Sequence, residues 1–259
     1  MKTGVTVLGS GSRGNSIICH TDETGIIIDA GFSRKEFLKR AEEAQIDLSV
    51  VRALLITHEH SDHVKGARVI ADYLDIPTYT VPSVYEYLKQ KNQIGGTVEL
   101  FHPGSEFSVG QFRIYPFQVY HDALEPVAFT VEINNKVIGL ATDLGHLNNL
   151  VKYKLSNCDL LILEANHDVD MLMKSDRSIN LKRRIRGRFG HLNNEDAMNS
   201  LTEILHEKTR NIIFYHLSSD CNCRDIVKSM AEKAISSLTR EDITFEIADQ
   251  DSILKTIWI

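Results

Sequence analysis

The sequence is organised around one short stretch, His-Glu-His-Ser-Asp-His at residues 58–63, which holds three imidazoles and two carboxylates. The apolar run before it, residues 51–57, predicts a buried strand. After it, residues 64–74 carry apolar side chains at helical spacing and predict a helix. The stretch therefore occupies a strand-to-helix loop, so the fold must bring the end of a buried strand and the start of a helix to one polar site.

The spacing within this loop is typical of a metal site. Side chains two apart in an extended segment point the same way, so His58 and His60 can bind one ion. Asp62 and His63 lie beyond the bend and face a second ion. Surface loops also collect His and Asp, but here every residue type is one that first-row divalent metals accept, in the expected strand-to-helix context. The loop therefore predicts a site for two metal ions.

The same loop resembles the first ligand motif of the metallo-β-lactamase superfamily of hydrolases. That resemblance implies three further ligands, each at the end of a strand. His121 would join His58 and His60 on the first ion, His216 would join the second pair, and Asp143 would bridge both ions. The lactamases themselves commonly have Cys at the bridging position, whereas glyoxalase-type and phosphodiesterase-type relatives have Asp. A bridged ion pair lowers the pKa of the shared water from ~15.7 toward ~7, and the resulting bridging hydroxide suits phosphodiester hydrolysis.

Two of the acidic residues have expected supporting or catalytic roles. Metal-bound imidazoles usually donate their other N–H to a carboxylate, and the resemblance implies an acid at the strand end where Asp29 stands. The alternative for Asp29 is a turn residue beside the next helix. Asp62 is expected to act on the nucleophile as well as on a metal, so that its loss impairs turnover more than metal content.

A second motif, Gly-His at residues 190–191, resembles the motif that precedes a helix in tRNA 3′-processing endonucleases and their relatives. By that resemblance Glu164 orients His191, which is the candidate general acid. His191 could instead only cap the helix. An arginine-rich run leads into the motif, and a helix N-terminus favours phosphate. The arginines expected to bind substrate are Arg183, Arg184 and Arg186.

A glycine-rich loop near the start has the G-x-G-x-x-G pattern of a dinucleotide-binding fingerprint over residues 9–14. That fingerprint requires a helix to follow, whereas residues 15–20 are β-like, so a hairpin-type turn is predicted instead. Such a loop lets backbone N–H groups approach an anion. Ser12 and Asn15 are therefore expected to contact substrate phosphate.

Composition limits the class of protein. The 259 residues are 42% hydrophobic and 25% charged, which is typical of a globular protein with a sizeable core. No apolar run approaches the ~18 residues of a membrane span, and no signal peptide is evident, so a cytoplasmic protein without a membrane partner is expected. The net charge of −6 means that nucleic-acid binding must depend on a local basic patch.

The pattern of elements predicts an α+β fold in one domain over residues 1–259. Strands are predicted over 4–8, 15–20, 25–29, 51–57, 77–80, 96–100, 112–117, 127–131, 136–140, 159–164, 211–215 and 243–247. Helices are predicted over 33–44, 64–74, 83–90, 195–207 and 224–238. Two mixed sheets sandwiched between helices match the four-layer αββα fold that the resemblance implies.

Phrases across the whole chain resemble the compact YycJ/WalJ/VicX-type family of bacterial hydrolases. They occur at residues 8–16, 164–168, 190–197 and 216–218. The departures are Arg13 and Asn193, where a smaller residue and Ser are expected. This resemblance implies a 5′-to-3′ DNA exonuclease acting on DNA ends with two divalent ions, zinc or manganese, although a His/Asp site also accepts iron.

Two alternatives remain open from the residues. One is a phosphodiesterase for a small or cyclic phosphate, which would tolerate neutralisation of the arginines. The other is a non-catalytic metal-binding regulatory protein, against which the complete ligand set counts. Sequence does not determine the native metal, the cleavage polarity, the oligomeric state or the roles of His146 and His167.

Overall fold

The computed structural model describes residues 2–259, within which the chain forms fourteen strands and nine α-helices. The strands are β1 Gly4–Gly9, β2 Ser16–His20, β3 Gly25–Ile28, β4 Val51–Leu55, β5 Thr78–Thr80, β6 Val98–Leu100, β7 Phe107–Val109, β8 Phe112–Gln118, β9 Val127–Ile133, β10 Lys136–Ala141, β11 Leu160–Glu164, β12 Asn211–Tyr215, β13 Thr244–Ile247 and β14 Leu254–Trp258. The helices are α1 Arg34–Glu43, α2 Ser61–Val64, α3 Ala67–Leu74, α4 Pro82–Gln90, α5 Asn149–Leu155, α6 Val169–Lys174, α7 Ile179–Arg186, α8 Asn194–Ile204 and α9 Arg224–Ser237.

The strands form two mixed sheets of seven strands each. The first has the order β14-β1-β2-β3-β4-β5-β6 and the second β13-β12-β11-β10-β9-β8-β7. In the first sheet the pairs from β14 to β3 are antiparallel and those from β3 to β6 are parallel. The second sheet is likewise antiparallel from β7 to β10 and parallel from β10 to β13. Each sheet therefore has a block of parallel strands whose carboxyl ends lie along one edge.

Alternating side chains of the second sheet build two separate cores. On β11, Leu160 and Ile162 belong to a core shared with strands of the first sheet, whereas Leu161 and Leu163 belong to another. That second core includes buried residues of α5, α8 and α9. The first core extends to buried residues of α1, α3 and α4. The period of two along the strand thus produces helix, sheet, sheet and helix layers.

The four-layer αββα expectation is confirmed, and most predicted elements are present with ends shifted by a few residues. The turn after β1 leads into the antiparallel strand β2, as expected of a hairpin. The helix predicted over 64–74 is present as α3, but it begins three residues later, at Ala67. The chain breaks between α2 and α3 because the N–H of Gly66 donates to the carbonyl of Ala30, 2.8 Å away, beside the end of β3. The expectation of one domain stays a prediction.

Six elements were not predicted: β7, β14, α2, α5, α6 and α7. The strand β14 pairs with β1, but its residues are only half-buried or exposed and carry no clear alternation. The helix α7 buries one residue, Ile185, so its apolar pattern is too sparse to detect. No helix within residues 2–259 has the length and apolar character needed to cross a membrane.

Candidate metal centre

Strand ends of both sheets gather the predicted ligands. The loop that holds His58 follows β4 in the first sheet. Asp143 follows β10, Glu164 ends β11 and His216 follows β12, which are three adjacent parallel strands of the second sheet. Because parallel strands end at the same edge, these side chains converge on one cleft between the sheets.

The first group of donor atoms comes from His58, His60 and His121, whose ring nitrogens lie within 4.8 Å of one another. Nε2 of His121 is 3.3 Å from Nδ1 of His60. The ring of His58 lies 4.6 Å from that of His60 and 5.2 Å from that of His121, between centroids. The structure thus brings together the three residues that were expected to bind the first ion.

The second group comes from Asp62, His63 and His216, within the same limit of 4.8 Å. Oδ2 of Asp62 is 3.4 Å from Nε2 of His216 and 3.5 Å from Nε2 of His63. Asp143 reaches both groups, since its Oδ2 is 3.2 Å from Nε2 of His63 and its Oδ1 is 3.7 Å from Nε2 of His121. Asp143 therefore lies where a bridging ligand would be required.

The donor set fits a divalent metal. Nε2 of His58 is buried and has no hydrogen-bond partner among the described residues. Burial, together with the neighbouring His63, holds the pKa of His58 well below its usual range, and burial also lowers the pKa of His121. Both rings are therefore neutral and have a lone pair to offer. Neutral imidazoles beside carboxylates are the donors that first-row divalent ions prefer, so the residues at this cleft suit a metal site.

The ring nitrogens that face away from the cleft have their own partners. Nδ1 of His63 lies 2.7 Å from Oδ2 of Asp29, which is buried at the end of β3. Nδ1 of His121 lies 3.0 Å from the carbonyl oxygen of Gly190. Nδ1 of His58 lies 3.0 Å from Oγ1 of Thr57, which in turn donates to Asp29. These contacts turn each Nε2 toward the cleft, as is usual around metal ligands.

Glu164 connects the second group to His191. It is fully buried, and its Oε1 lies 2.7 Å from Nδ1 of His191 and 3.1 Å from Nδ1 of His216. Its Oε2 accepts hydrogen bonds from the backbone N–H of Leu144 and of Leu192. Burial alone would raise the pKa of Glu164, but the two imidazoles hold it down to about 2. Glu164 is thus an ionised carboxylate that orients both rings.

His191 does not cap the following helix. The N-cap of α8 is Asn193, whose side chain accepts from the N–H of Asp196. The N–H of Asn194 is also taken, by the carbonyl of His167. Two first-turn donors of this helix are thus already used within the protein, and the expectation that its N-terminus binds phosphate stays a prediction. His191 instead presents its ring, 22% exposed, to the cleft.

A cavity of about 350 Å³ opens above the donor groups. Its lining residues are Ser12, His60, Asp62, His121, Asp122, Asp143, Asn166, Arg177, Leu181, Arg184, Ile185, Gly190, His191, His216 and Ser218. Arg184 reaches it, paired with Asp122, and Arg177 reaches it, paired with Asp220 at 3.0 Å. Arg183 and Arg186 are not among the lining residues, although both are exposed on α7.

Residues of the glycine-rich loop have different positions. Ser12 lines the cavity, but Asn15 is buried beneath it. Nδ2 of Asn15 lies 3.1 Å from Oδ2 of Asp62 and 3.0 Å from Nε2 of His63. A Cβ on Gly31 would lie 1.7 Å from the carbonyl oxygen of Asp62, so only glycine lets the segment after β3 approach the loop of Asp62 this closely.

Other contacts were not foreseen. Nδ2 of Asn166 donates to the carbonyl of His216 at 2.8 Å, and Asn166 also lines the cavity. Thr57 and the Gly190 carbonyl contact the imidazoles of His58 and His121. Residue type alone does not mark such roles, because any carbonyl or hydroxyl at the right place can fill them. His146 and His167 do not line the cavity, and burial lowers the pKa of His167 to about 4.

The fold and the cleft define a metal-dependent hydrolase of the metallo-β-lactamase type. Residues 24–216 match the model of the beta-lactamase superfamily domain. The chain is 33% identical over 260 residues to exodeoxyribonuclease YycJ of Bacillus anthracis, covering 97% of this chain and 96% of that protein. It is 31% identical to exodeoxyribonuclease WalJ of Streptococcus pneumoniae, covering 85% and 84%. The metallo-beta-lactamase fold protein YhfI of Bacillus subtilis superposes with a TM-score of 0.71 at 16% identity, covering 98% of this chain and 99% of the other. The chain therefore belongs to the metallo-β-lactamase superfamily, and within it to the YycJ/WalJ family.

Proposed function

We propose that this protein is a dinuclear metal-dependent phosphodiesterase that removes nucleotides from DNA ends in the 5′-to-3′ direction. The observation that carries the proposal is the position of His191, which buried Glu164 holds at the wall of the cavity that both donor groups face. An acid placed beside two metal sites suits cleavage of a phosphodiester, in which a leaving oxygen must be protonated. The names of the two relatives, both exodeoxyribonucleases, support DNA as the substrate.

The donor groups would hold two ions, zinc or manganese, with iron also compatible. The proposed ligands are His58, His60 and His121 for one ion, Asp62, His63 and His216 for the other, and Asp143 for both. When bound, such a pair supplies Lewis acidity to the phosphate oxygens and lowers the pKa of water toward ~7.

The protein's own groups then divide the proton transfers. The side chain of Asp62 is 19% exposed, and it can orient the attacking water in the cavity and accept its proton. His191 has its Nδ1 bound to Glu164, which leaves Nε2 to protonate the leaving oxygen. Burial opposes a charged ring, but the Glu164 carboxylate raises the pKa of His191, so the ring keeps its proton to higher pH. Glu164 thus supports the acid form of His191.

Arg184 and Arg177 are proposed to bind substrate phosphate at the cavity wall. Each is paired with an aspartate, Asp122 and Asp220 respectively. A phosphate entering the cavity would compete with these carboxylates for the guanidinium groups, which bind phosphate well because their donors form a planar fork. Substrate binding by Arg183 and Arg186, which lie off the cavity, would require contacts outside it.

The test uses metal-loaded protein and linear DNA labelled at either end, with a 5′-phosphorylated copy, an unphosphorylated copy and a closed circle. We expect mononucleotides to appear from the 5′ label first and the circle to remain intact. Asp62→Ala and His191→Ala should abolish or strongly reduce release. His102→Ala, at an exposed histidine that does not line the cavity, is the matched control and should retain activity.

The alternatives predict different results. No cleavage of any DNA with zinc, manganese or iron, while a chromogenic phosphodiester is hydrolysed, would replace the nuclease by a small-molecule phosphodiesterase. Metal binding without hydrolysis of either substrate would favour a regulatory metal protein. If the 3′ label is released first, the proposed 5′-to-3′ direction is wrong and the nuclease activity stands.

A further inference from the structure

Loops beside the cavity bring together an exposed group of rings that the hydrolytic site does not use. The ring of Tyr120 stacks on that of His146, with centroids 4.9 Å apart and planes inclined by 28°. Phe189 meets Tyr120 edge-on at 5.7 Å, and Cζ of Arg188 lies 4.9 Å from the centroid of Tyr120. We call these four residues, Tyr120, His146, Arg188 and Phe189, the aromatic platform.

The platform is held in place by the backbone, yet it remains open to solvent. Phe189 is 53% exposed, Arg188 is exposed, and Tyr120 and His146 are only half-buried. A Cβ on Gly145 would lie 2.2 Å from the carbonyl oxygen of Arg188, so glycine is required for the loop after β10 to pack here. The N–H of Gly145 also donates to the carbonyl of Tyr120 at 2.9 Å. A ring cluster that is fixed but uncovered is typical of a binding surface, not of a core.

The platform adjoins the cavity. Phe189 precedes Gly190, and Tyr120 precedes His121, and both of the following residues line the cavity. The platform therefore lies at the rim of the cavity, on the path of a strand that continues beyond the phosphate bound there.

We propose that the aromatic platform stacks against an unpaired nucleobase of the DNA strand whose phosphodiester enters the cavity. This inference rests on the proposed function. Flat rings bind bases of any sequence through their faces, and the Arg188 guanidinium adds a cation above them. The guanidinium groups of Arg177 and Arg184, at the cavity, would pair with the phosphates of the same DNA strand. The preferred substrate is then a single-stranded or frayed end.

The first experiment pairs a protein change with a substrate change. Phe189→Ala is compared with wild type on a single-stranded oligonucleotide and on the same oligonucleotide with abasic sugars near the 5′ end. Loss of one base–aromatic stack should raise KM for the intact strand about 5-fold or more, with a smaller effect on kcat. For the abasic strand, KM should not change. Tyr153→Ala, at an aromatic residue 75% exposed on α5, is the matched control and should behave as wild type with both strands.

A second experiment reports contact without turnover. Phe189→Trp adds a fluorophore to a chain whose single tryptophan, Trp258, lies on β14 of the first sheet. In the presence of a chelator, the intact strand should quench the added fluorescence, and the abasic strand should quench it much less. Wild-type protein corrects for the signal of Trp258.

The outcomes separate the two proposals. If wild type degrades DNA while Phe189→Ala changes KM equally for the intact and abasic strands, or not at all, the platform does not bind bases and the nuclease proposal stands. If wild type degrades no DNA, the proposed function fails. Equal quenching of the Phe189→Trp variant by both strands would overturn the platform independently of activity.

Discussion

Replacement of Asp29 by Asn is expected to weaken metal binding without disturbing the fold. Asp29 is 3% exposed, and its carboxylate is bound by three groups. Oδ1 accepts from the N–H of Thr57 at 2.9 Å, and Oδ2 lies 2.8 Å from Oγ1 of Thr57 and 2.7 Å from Nδ1 of His63. An amide of the same size keeps the first bond but presents NH₂ to the ring nitrogen. The backbone at Asp29 has φ +60°, a conformation that Asn tolerates well.

The size of the expected loss in metal affinity follows from the hydrogen bond that Asp29 no longer makes to His63. A hydrogen bond to a charged group contributes about 1.5–3 kcal/mol, which is equivalent to roughly 10- to 140-fold in affinity. Part of this loss cancels, because the same bond to His63 is also present in the metal-free protein. Substitutions of such supporting groups cost about 10–100-fold in metal affinity in general. We therefore expect Asp29→Asn to lower metal affinity by about tenfold, near the lower limit of this range.

The assay is competition for zinc against a chromogenic chelator at fixed pH. Because Asp29 contacts His63, Asp29→Asn should weaken one metal equivalent more than the other. Asp47→Asn is the matched control, since Asp47 is a remote carboxylate that accepts from the N–H of Ser49 at 2.9 Å. The Asp29→Asn protein should melt like wild type. If it also binds both zinc equivalents with unchanged affinity, Asp29 does not support metal binding through His63.

Four further predictions concern the site. His191→Ala should lower kcat by about 10²–10⁴-fold while bound metal, measured by elemental analysis, stays unchanged; loss of metal would make His191 a ligand. Asp62→Asn should reduce kcat more than it reduces metal content, and a proportional loss of both would contradict its second role. The pKa of His216 is raised to about 10, since Asp143 and other carboxylates outweigh the effect of burial. The metal-free ring therefore holds a proton at neutral pH, so zinc affinity should rise with pH up to about 10, with proton release detectable in weak buffer. Finally, Arg184→Gln should raise KM for DNA more than Arg183→Gln, and equal effects would place substrate along the whole of α7.

The ligand positions could be predicted because metal chemistry restricts both residue type and location. Only a few side chains bind divalent ions, and here they follow short apolar runs that are easily recognised as strands. Local pattern therefore located residues such as His58 and Asp143, and the structure brings them together at one cleft. Their roles as ligands remain predictions, which the metal-binding experiments test.

The arginines show why the substrate side of the site was harder to predict. In an α-helix successive residues point about 100° apart, so Arg183 and Arg184 cannot face the same surface. Sequence showed a basic run but neither that it is helical nor how it is rotated. Only Ile185 of α7 is buried, and this single anchor turns Arg184 and not Arg183 or Arg186 toward the cavity.

The strand periodicity that identifies the fold also ends where the candidate site begins. Along β10 and β12 the side chains alternate between the two cores, and those of β3 are buried in the first core on both faces. A residue that simply continued one of these strands would therefore be directed into a core. Asp29, Asp143 and His216, which follow these strands, instead adopt φ values of 60°, 51° and 59°. Such left-handed backbone costs roughly 1–2 kcal/mol for a residue with a side chain. Bonds such as that from the His216 N–H to Oγ of Ser10, at 2.6 Å, help to offset it. The turns place Asp143 and His216 in the cleft and Asp29 behind His63. The strain is therefore a consequence of turning three polar groups out of the strands and placing them together at the site.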